Sequence, residues 1–151
     1  MSSNLGKTIQ TISFLSFLMH AHRIYGPFLL VVPLSTLMAW QRESAKWAPS
    51  MDVVTYMGDA ASRAIIRDME FYASANASKV KFNMLITTYE TVLSDCEHLA
   101  SIKWASLVVD EAQRLKCDTS ALYSRLFDLD FKHCVLITGT PLQVSHAKLL
   151  A

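Results

Sequence analysis

Phe28-Leu29-Leu30-Val31-Val32 is an unbroken apolar run with no polar residue on alternate positions. A strand with one face in water alternates, so a continuous run demands cover on both faces, as in the interior of a parallel sheet. Gly26-Pro27 breaks the chain just before it. Similar strand-sized segments recur at Val53 to Tyr56, Phe82 to Thr87, Leu107 to Asp110 and Cys134 to Thr138. Between them lie helical patterns. Thr8 to Ala21 carries Ile9, Ile12, Leu15 and Met19 at helical spacing, with Phe14, Phe17 and Leu18 widening the buried face, and further helices are expected around Leu37 to Trp47, Ala61 to Tyr72 and Ala121 to Phe127. This alternation predicts a doubly wound, mainly parallel α/β sheet. Ala73 to Lys81, rich in Ala, Ser, Asn and Lys, reads as an exposed loop.

With 151 residues and 52% apolar content the chain suffices for the core of one domain. A net charge of +1 carries no nucleic-acid footprint of its own. Cys96, Cys117 and Cys134 are odd in number and lack C-x-x-C spacing, which argues against a disulfide framework or a zinc site and suits a reducing compartment. The apolar runs fall far short of the ~20 residues of a membrane span, and the first residues lack a signal-peptide layout.

Two short motifs add chemistry. Gly6-Lys7-Thr8 opens the first helical run, and Asp110-Glu111 closes an apolar strand. A nucleoside triphosphate with magnesium requires a Lys at the β and γ phosphates and a Ser or Thr hydroxyl on the metal, which Lys7 and Thr8 supply. Asp110 can hold the metal directly or through water. Glu111 is placed to orient or deprotonate the attacking water. Either motif alone is a common turn or a solvated pair of acids; together, in this order, they point to nucleotide hydrolysis. The full pattern G-x-x-x-x-G-K-[ST] would put its first glycine at Met1, so the strand feeding the loop is expected to be missing and the domain truncated. Thr138-Gly139-Thr140-Pro141 sets two hydroxyls on a turn after the last strand. Tyr89 reads as a rim aromatic, Trp40, Trp47 and Trp104 as core or rim, and His20 and His22 as surface residues at a helix end.

The segments Leu5 to Thr11, Gly26 to Thr36, Trp40 to Glu43, Thr87 to Glu90, Val109 to Ala112 and Leu136 to Gln143 follow one another as in a known family. The chain resembles the first RecA-like lobe of the Swi/Snf-type chromatin-remodelling ATPases of helicase superfamily two, and within them the chromodomain-helicase-DNA-binding branch. The resemblance covers nearly the whole chain, residues 1–151, as a partial N-terminal ATP-binding lobe. It implies that Gly6, Lys7 and Thr8 bind ATP and Mg2+, that Asp110 holds the metal, and that Glu111 activates water. It further implies that Pro33, Leu34, Ser35, Thr88 and Tyr89 lie on the side facing duplex DNA, and that Gln113, Thr138 and Thr140 couple nucleotide state to the DNA cleft. Nucleosomes, a second helicase lobe with an arginine finger, and a nuclear location are implied as well. Asn4 stands where the family has Gly, Gln113 where it has His, and Cys117 and Val144 where it has Asn, so the copy is a diverged one. The competing expectation is a non-catalytic interaction module that keeps the fold without nucleotide. A small-molecule kinase is disfavoured by the helicase order of the motifs.

Overall fold

The computed structural model describes residues 3–116 and 121–139. Helix α1 spans Ser3–His22, followed by β1 (Phe28–Val32), α2 (Leu34–Trp47), β2 (Val53–Tyr56), α3 (Ala60–Ile66) and a π-helical turn at Arg67–Phe71. Then come β3 (Met84–Thr88), α4 (Tyr89–Ser94), α5 (Cys96–Ala100), β4 (Lys103–Val109), a 3-10 turn (Ala112–Lys116), α6 (Ala121–Phe127) and β5 (Asp130–Leu136).

The five strands form one sheet in the order β2-β3-β1-β4-β5, and every pairing is parallel. β1 lies at the centre, and all five of its residues are fully buried. Its alternate side chains serve two cores. Phe28, Leu30 and Val32 pack with Ile12, Leu15 and Met19 of α1 and Leu37 and Trp40 of α2. Leu29 and Val31 pack on the opposite face with Phe71, Val92, Trp104, Leu122 and Leu126. Each such aliphatic side chain removed from water contributes about 1.5–3 kcal/mol before entropy is counted, so the doubly covered sheet carries most of the folding drive.

Local chemistry sets the element ends. α1 stops where Arg23 turns left-handed at φ 55°, and the Ile24 amide folds back to donate to the Leu18 carbonyl of the last turns at 2.9 Å, which satisfies one of the carbonyls a helix end leaves open. Gly26 at φ 94° passes so close to the Asn83 carbonyl that a side-chain Cβ there would lie 2.4 Å from its oxygen. The Asp59 carboxylate caps α3 at the Ser62 amide, and the Thr88 hydroxyl caps α4 at the Thr91 amide.

Several details differ from the sequence expectation. α1 begins at Ser3 and takes in Gly6, Lys7 and Thr8, and α4 and α5 occupy a stretch for which no helix was expected. β4 starts four residues ahead of Leu107, and β5 runs from Asp130 to Leu136 where Cys134 to Thr138 was expected. The reason is position. β5 is the sheet edge, so Asp130, Lys132 and His133 face outward and hide its strand character. The same edge explains Phe14, expected in the core yet 46% exposed; Phe17, also expected there, is 55% exposed and stacks on His22. Phe14 borders a 420 Å³ apolar groove along β5, floored by Leu107, Val135 and Leu136 and flanked by Phe127. Cys134 lines this groove, and burial pushes its thiol up to about 11; Cys96, raised by burial too, is also a free thiol.

A charged cluster ties the far edge of the sheet together. Asp95, between α4 and α5, receives Arg63 Nε at 2.7 Å and Nη2 at 3.2 Å, Arg67 Nη1 at 3.2 Å, and the Tyr56 hydroxyl. Arg67 also donates to the Tyr56 oxygen at 2.6 Å. Burial pushes the Asp95 carboxyl up, but the hydrogen bonds from Arg63 and Tyr56 and the two guanidinium charges outweigh it and hold the group below its usual range. Removing one member of a buried pair costs about 3–5 kcal/mol because the remaining charge is stranded. Asp95→Ala is therefore expected to lower stability at pH 7 by about 3 kcal/mol in urea denaturation. Because the folded-state pKa is depressed, the stabilisation is complete above the unfolded value of about 3.9 and is lost as pH falls through the folded one. The gap between wild type and variant should accordingly close in a pH series taken below about pH 4.

Candidate functional site

The strand register brings the sequence motifs to one edge of the sheet. Val32 pairs with Thr88, Val31 with Val109, and Val109 with Leu136. The residues that follow these strands, Pro33, Tyr89, Asp110 and Ile137-Thr138, thus stand side by side at the carboxyl ends, where ligands bind in open parallel sheets. The ladder continues into them. The Asp110 amide donates to the Val31 carbonyl at 2.8 Å, and the Ala112 amide to the Ile137 carbonyl at 2.8 Å.

Lys7, Thr8 and Asp110 line a single 240 Å³ cavity, together with Thr36, Trp40, Arg42 and Glu43. Lys7 Nζ donates to the Thr138 carbonyl at 2.5 Å, which bridges the start of α1 to the end of β5. A Cβ at Gly6 would meet no atom within 4 Å. The glycine is thus not required by protein packing, and its backbone faces open space beside the Lys7 side chain.

Asp110 is the most heavily engaged group of the site. Its Oδ2 accepts from Trp40 Nε1 at 3.1 Å, and its Oδ1 from the Glu111 amide at 2.9 Å. Its carbonyl accepts from the Tyr89 hydroxyl. Burial raises the Asp110 carboxyl above its usual value, helped by the neighbouring Glu111 charge and opposed by the Trp40 and Glu111 hydrogen bonds and by the Lys7 charge. Tyr89 is shifted far upward by burial and by the Asp110 charge, so its phenol stays protonated and remains a donor.

Glu111 adopts the left-handed conformation at φ 53°. Its carboxylate accepts from the Gln113 side-chain amide and does not line the cavity shared by Lys7 and Asp110. Of the residues expected to face DNA, Leu34 and Ser35 are exposed, whereas Pro33 is buried at the start of α2. Thr88 spends its hydroxyl on α4, and Tyr89 is turned inward onto Asp110. Thr138 lies beside Lys7. Thr140, Cys117 and Val144, and the side chain of Asn4, lie outside the described residues.

Trp40 is the site residue that sequence reasoning missed, having been read only as a core or rim aromatic. The available signal was its place in α2, two turns beyond Pro33 and in a helix that starts at the ligand edge.

Among the described residues no cluster of three His, Cys, Asp or Glu is present. A divalent ion here must rely on a carboxylate, a hydroxyl and oxygens from a ligand. That donor set suits Mg2+, which is commonly bound through one or two carboxylates, waters and substrate phosphates.

A family model described as an SNF2-related domain matches residues 3–151. Chromodomain-helicase-DNA-binding protein 1 of Gallus gallus is 57% identical over 93% of this chain, and Protein CHROMATIN REMODELING 5 of Arabidopsis thaliana is 49% identical over 97%. The chain spans only 8% and 9% of those two proteins. The Sulfolobus solfataricus SWI2/SNF2 ATPase core in complex with dsDNA superposes with a TM-score of 0.75 at 29% identity, over 92% of this chain and 26% of that one. The five-stranded parallel sheet is thus the RecA-like fold of such cores. With the motifs gathered at its ligand edge and the match running from Ser3 to the last residue, the chain belongs to the SNF2-related domain family.

Proposed function

We propose that this chain is an ATP-binding lobe of a DNA-dependent ATPase that translocates on duplex DNA and remodels nucleosomes in the nucleus. The observation that carries the reading is the convergence of Lys7, Thr8 and Asp110 on one cavity at the carboxyl edge of a parallel sheet. At 240 Å³ the cavity is smaller than the roughly 300–1,000 Å³ of a complete ligand pocket, and it matches the phosphate and metal end of a nucleotide.

In this reading the Lys7 ammonium binds the β and γ phosphates, exchanging its contact with the Thr138 carbonyl for phosphate oxygens. Thr8 and Asp110 would hold Mg2+, which when bound neutralises phosphate charge. The open backbone at Gly6 lets the phosphates approach closely. Glu111 orients or deprotonates water after leaving Gln113, and Gln113 serves as the group that holds it in reserve. Thr138 registers the phosphates through the loss of its contact with Lys7, and Thr138 and Thr140 couple that state to the DNA cleft. The segments Pro33–Ser35 and Thr88–Tyr89 border the DNA track, with the exposed Leu34 and Ser35 nearest to its phosphates; contacts of this kind position a protein on DNA without reading sequence. The similarity to a SWI2/SNF2 ATPase core in complex with dsDNA supports duplex DNA as the partner.

A fluorescent ATP analogue with Mg2+ is expected to bind the chain at micromolar concentration and to lose at least about tenfold in affinity in Lys7→Ala, close to 1.4 kcal/mol. No binding at millimolar nucleotide would instead favour a non-catalytic interaction module. Gly6→Ala separates folding from binding. Its thermal midpoint should hold or rise, since Ala is favoured over Gly by up to about 1 kcal/mol within a helix, while affinity for the analogue falls. Phosphate release by the 151-residue chain alone should stay at background with or without duplex DNA, because the arginine finger that accelerates such reactions by about 10³–10⁵ belongs to a second lobe in this reading. DNA-stimulated release that Lys7→Ala abolishes would overturn that expectation.

A further inference from the structure

Asp110 is gripped from two sides by residues that no nucleotide motif contains. Trp40, 2% exposed, comes from α2 and donates its indole N–H to the carboxylate. Tyr89, 8% exposed, is the first residue of α4 and donates its hydroxyl to the backbone carbonyl of the same residue. We propose that Trp40 and Tyr89 are positioning residues that clamp Asp110 in its metal-holding orientation and connect it to the two helices that start beside the DNA track. The metal-holding role of Asp110 and the connection to DNA rest on the function proposed above; the clamp itself does not.

A single aspartate at the end of a strand has freedom about its terminal torsion, which is broad and lacks a steep minimum. With one hydrogen bond on each oxygen, from Trp40 and from the Glu111 amide, the plane of the carboxylate is fixed. Each oxygen still keeps a free lone pair, because a carboxylate offers about four acceptor sites. Neither donor can swing away cheaply, since both rings are packed in the two cores on opposite faces of the sheet.

The next residue shows why such a clamp is required. Glu111 is held at φ 53°, a conformation that costs a non-glycine residue about 1–3 kcal/mol and persists only where its surroundings over-determine it. The Tyr89 hydroxyl fixes the peptide plane between Asp110 and Glu111, and the Ala112 amide, bonded to the Ile137 carbonyl at 2.8 Å, fixes the next one. α2 and α4 begin at Leu34 and Tyr89, adjoining Pro33 and Thr88 at the same sheet edge. A shift of α2 as a body, or of the start of α4, is therefore transmitted to the carboxylate or carbonyl of Asp110 through one hydrogen bond.

Hydrogen exchange measured by NMR on the 151-residue chain tests the clamp without nucleotide or DNA. In Tyr89→Phe, which removes one oxygen and leaves the ring, exchange of the Glu111 amide and the Trp40 indole N–H should rise at least tenfold while the Leu30 and Ile86 amides stay unchanged. Trp40→Phe should raise Glu111 exchange in the same selective way. If Trp40→Phe fails to fold, Tyr89→Phe alone decides. An even rise across the sheet, or no change at Glu111, would overturn the proposal. Mn2+ binding in the presence of ADP, followed by electron paramagnetic resonance, adds a second readout: both variants should weaken it by several-fold. Absence of that binding in the unaltered chain would count against the nucleotide reading, and the exchange rates would still settle the clamp.

Discussion

Complete removal of Phe28 to Val32 from water on both faces is the constraint around which the molecule is arranged. A strand buried in this way must have helices above and below it and strands on either side, and the chain provides α1 and α2 for one face and α4 and α6 for the other. Charged side chains then have no place on the central strands β1 and β3. They collect where the strands stop, and the parallel register makes β1, β3, β4 and β5 stop together. The ligand edge is thus a by-product of burial: Lys7 and Asp110, 103 positions apart in the numbering, share a cavity because both follow from the same geometric demand.

Much of this was legible beforehand. The apolar run of β1 and the limits of β2 and α6 followed from residue pattern alone, as did the parallel class of the sheet. α4 and α5 escaped because each is shorter than two helical turns and so offers only two or three buried positions, one of them the polar Thr91, too few to carry an amphipathic signal. The limits of β5 differ from the expectation because an edge strand exposes charge freely. At the site, the letters Gly-Lys-Thr and Asp-Glu pointed to the proposed chemistry, but the partners of Asp110 did not announce themselves. A tryptophan chosen for its hydrogen bond and one chosen for bulk look alike in sequence, and only the 3.1 Å approach of Nε1 distinguishes them.

The two sheet edges are finished differently. At β2 the network of Tyr56, Arg63, Arg67 and Asp95 joins four elements through charge-assisted bonds, which are shorter and stronger than neutral ones. At β5 the backbone is unpaired on its outer side among the described residues, and apolar side chains from both faces border the groove. Such an edge invites a further strand. Asp130, Lys132 and His133 on β5 discourage indiscriminate pairing, since charge on an edge is a common means of blocking it.

The π-helical turn at Arg67–Phe71 has a geometric consequence for the charged network. Four residues of α-helix overshoot a full turn by about 40°, so Arg63, Arg67 and Phe71 on a regular helix would drift steadily around the cylinder. A turn closed by i→i+5 bonds is wider and rotates each residue less, which cancels the drift. Phe71 thereby returns to the azimuth of Arg63 and reaches the aromatic stack with Tyr56 and Phe82. One surplus residue of chain, absorbed as a bulge, lets a single short helix present guanidinium groups to Asp95 and a phenyl ring to the core along the same line.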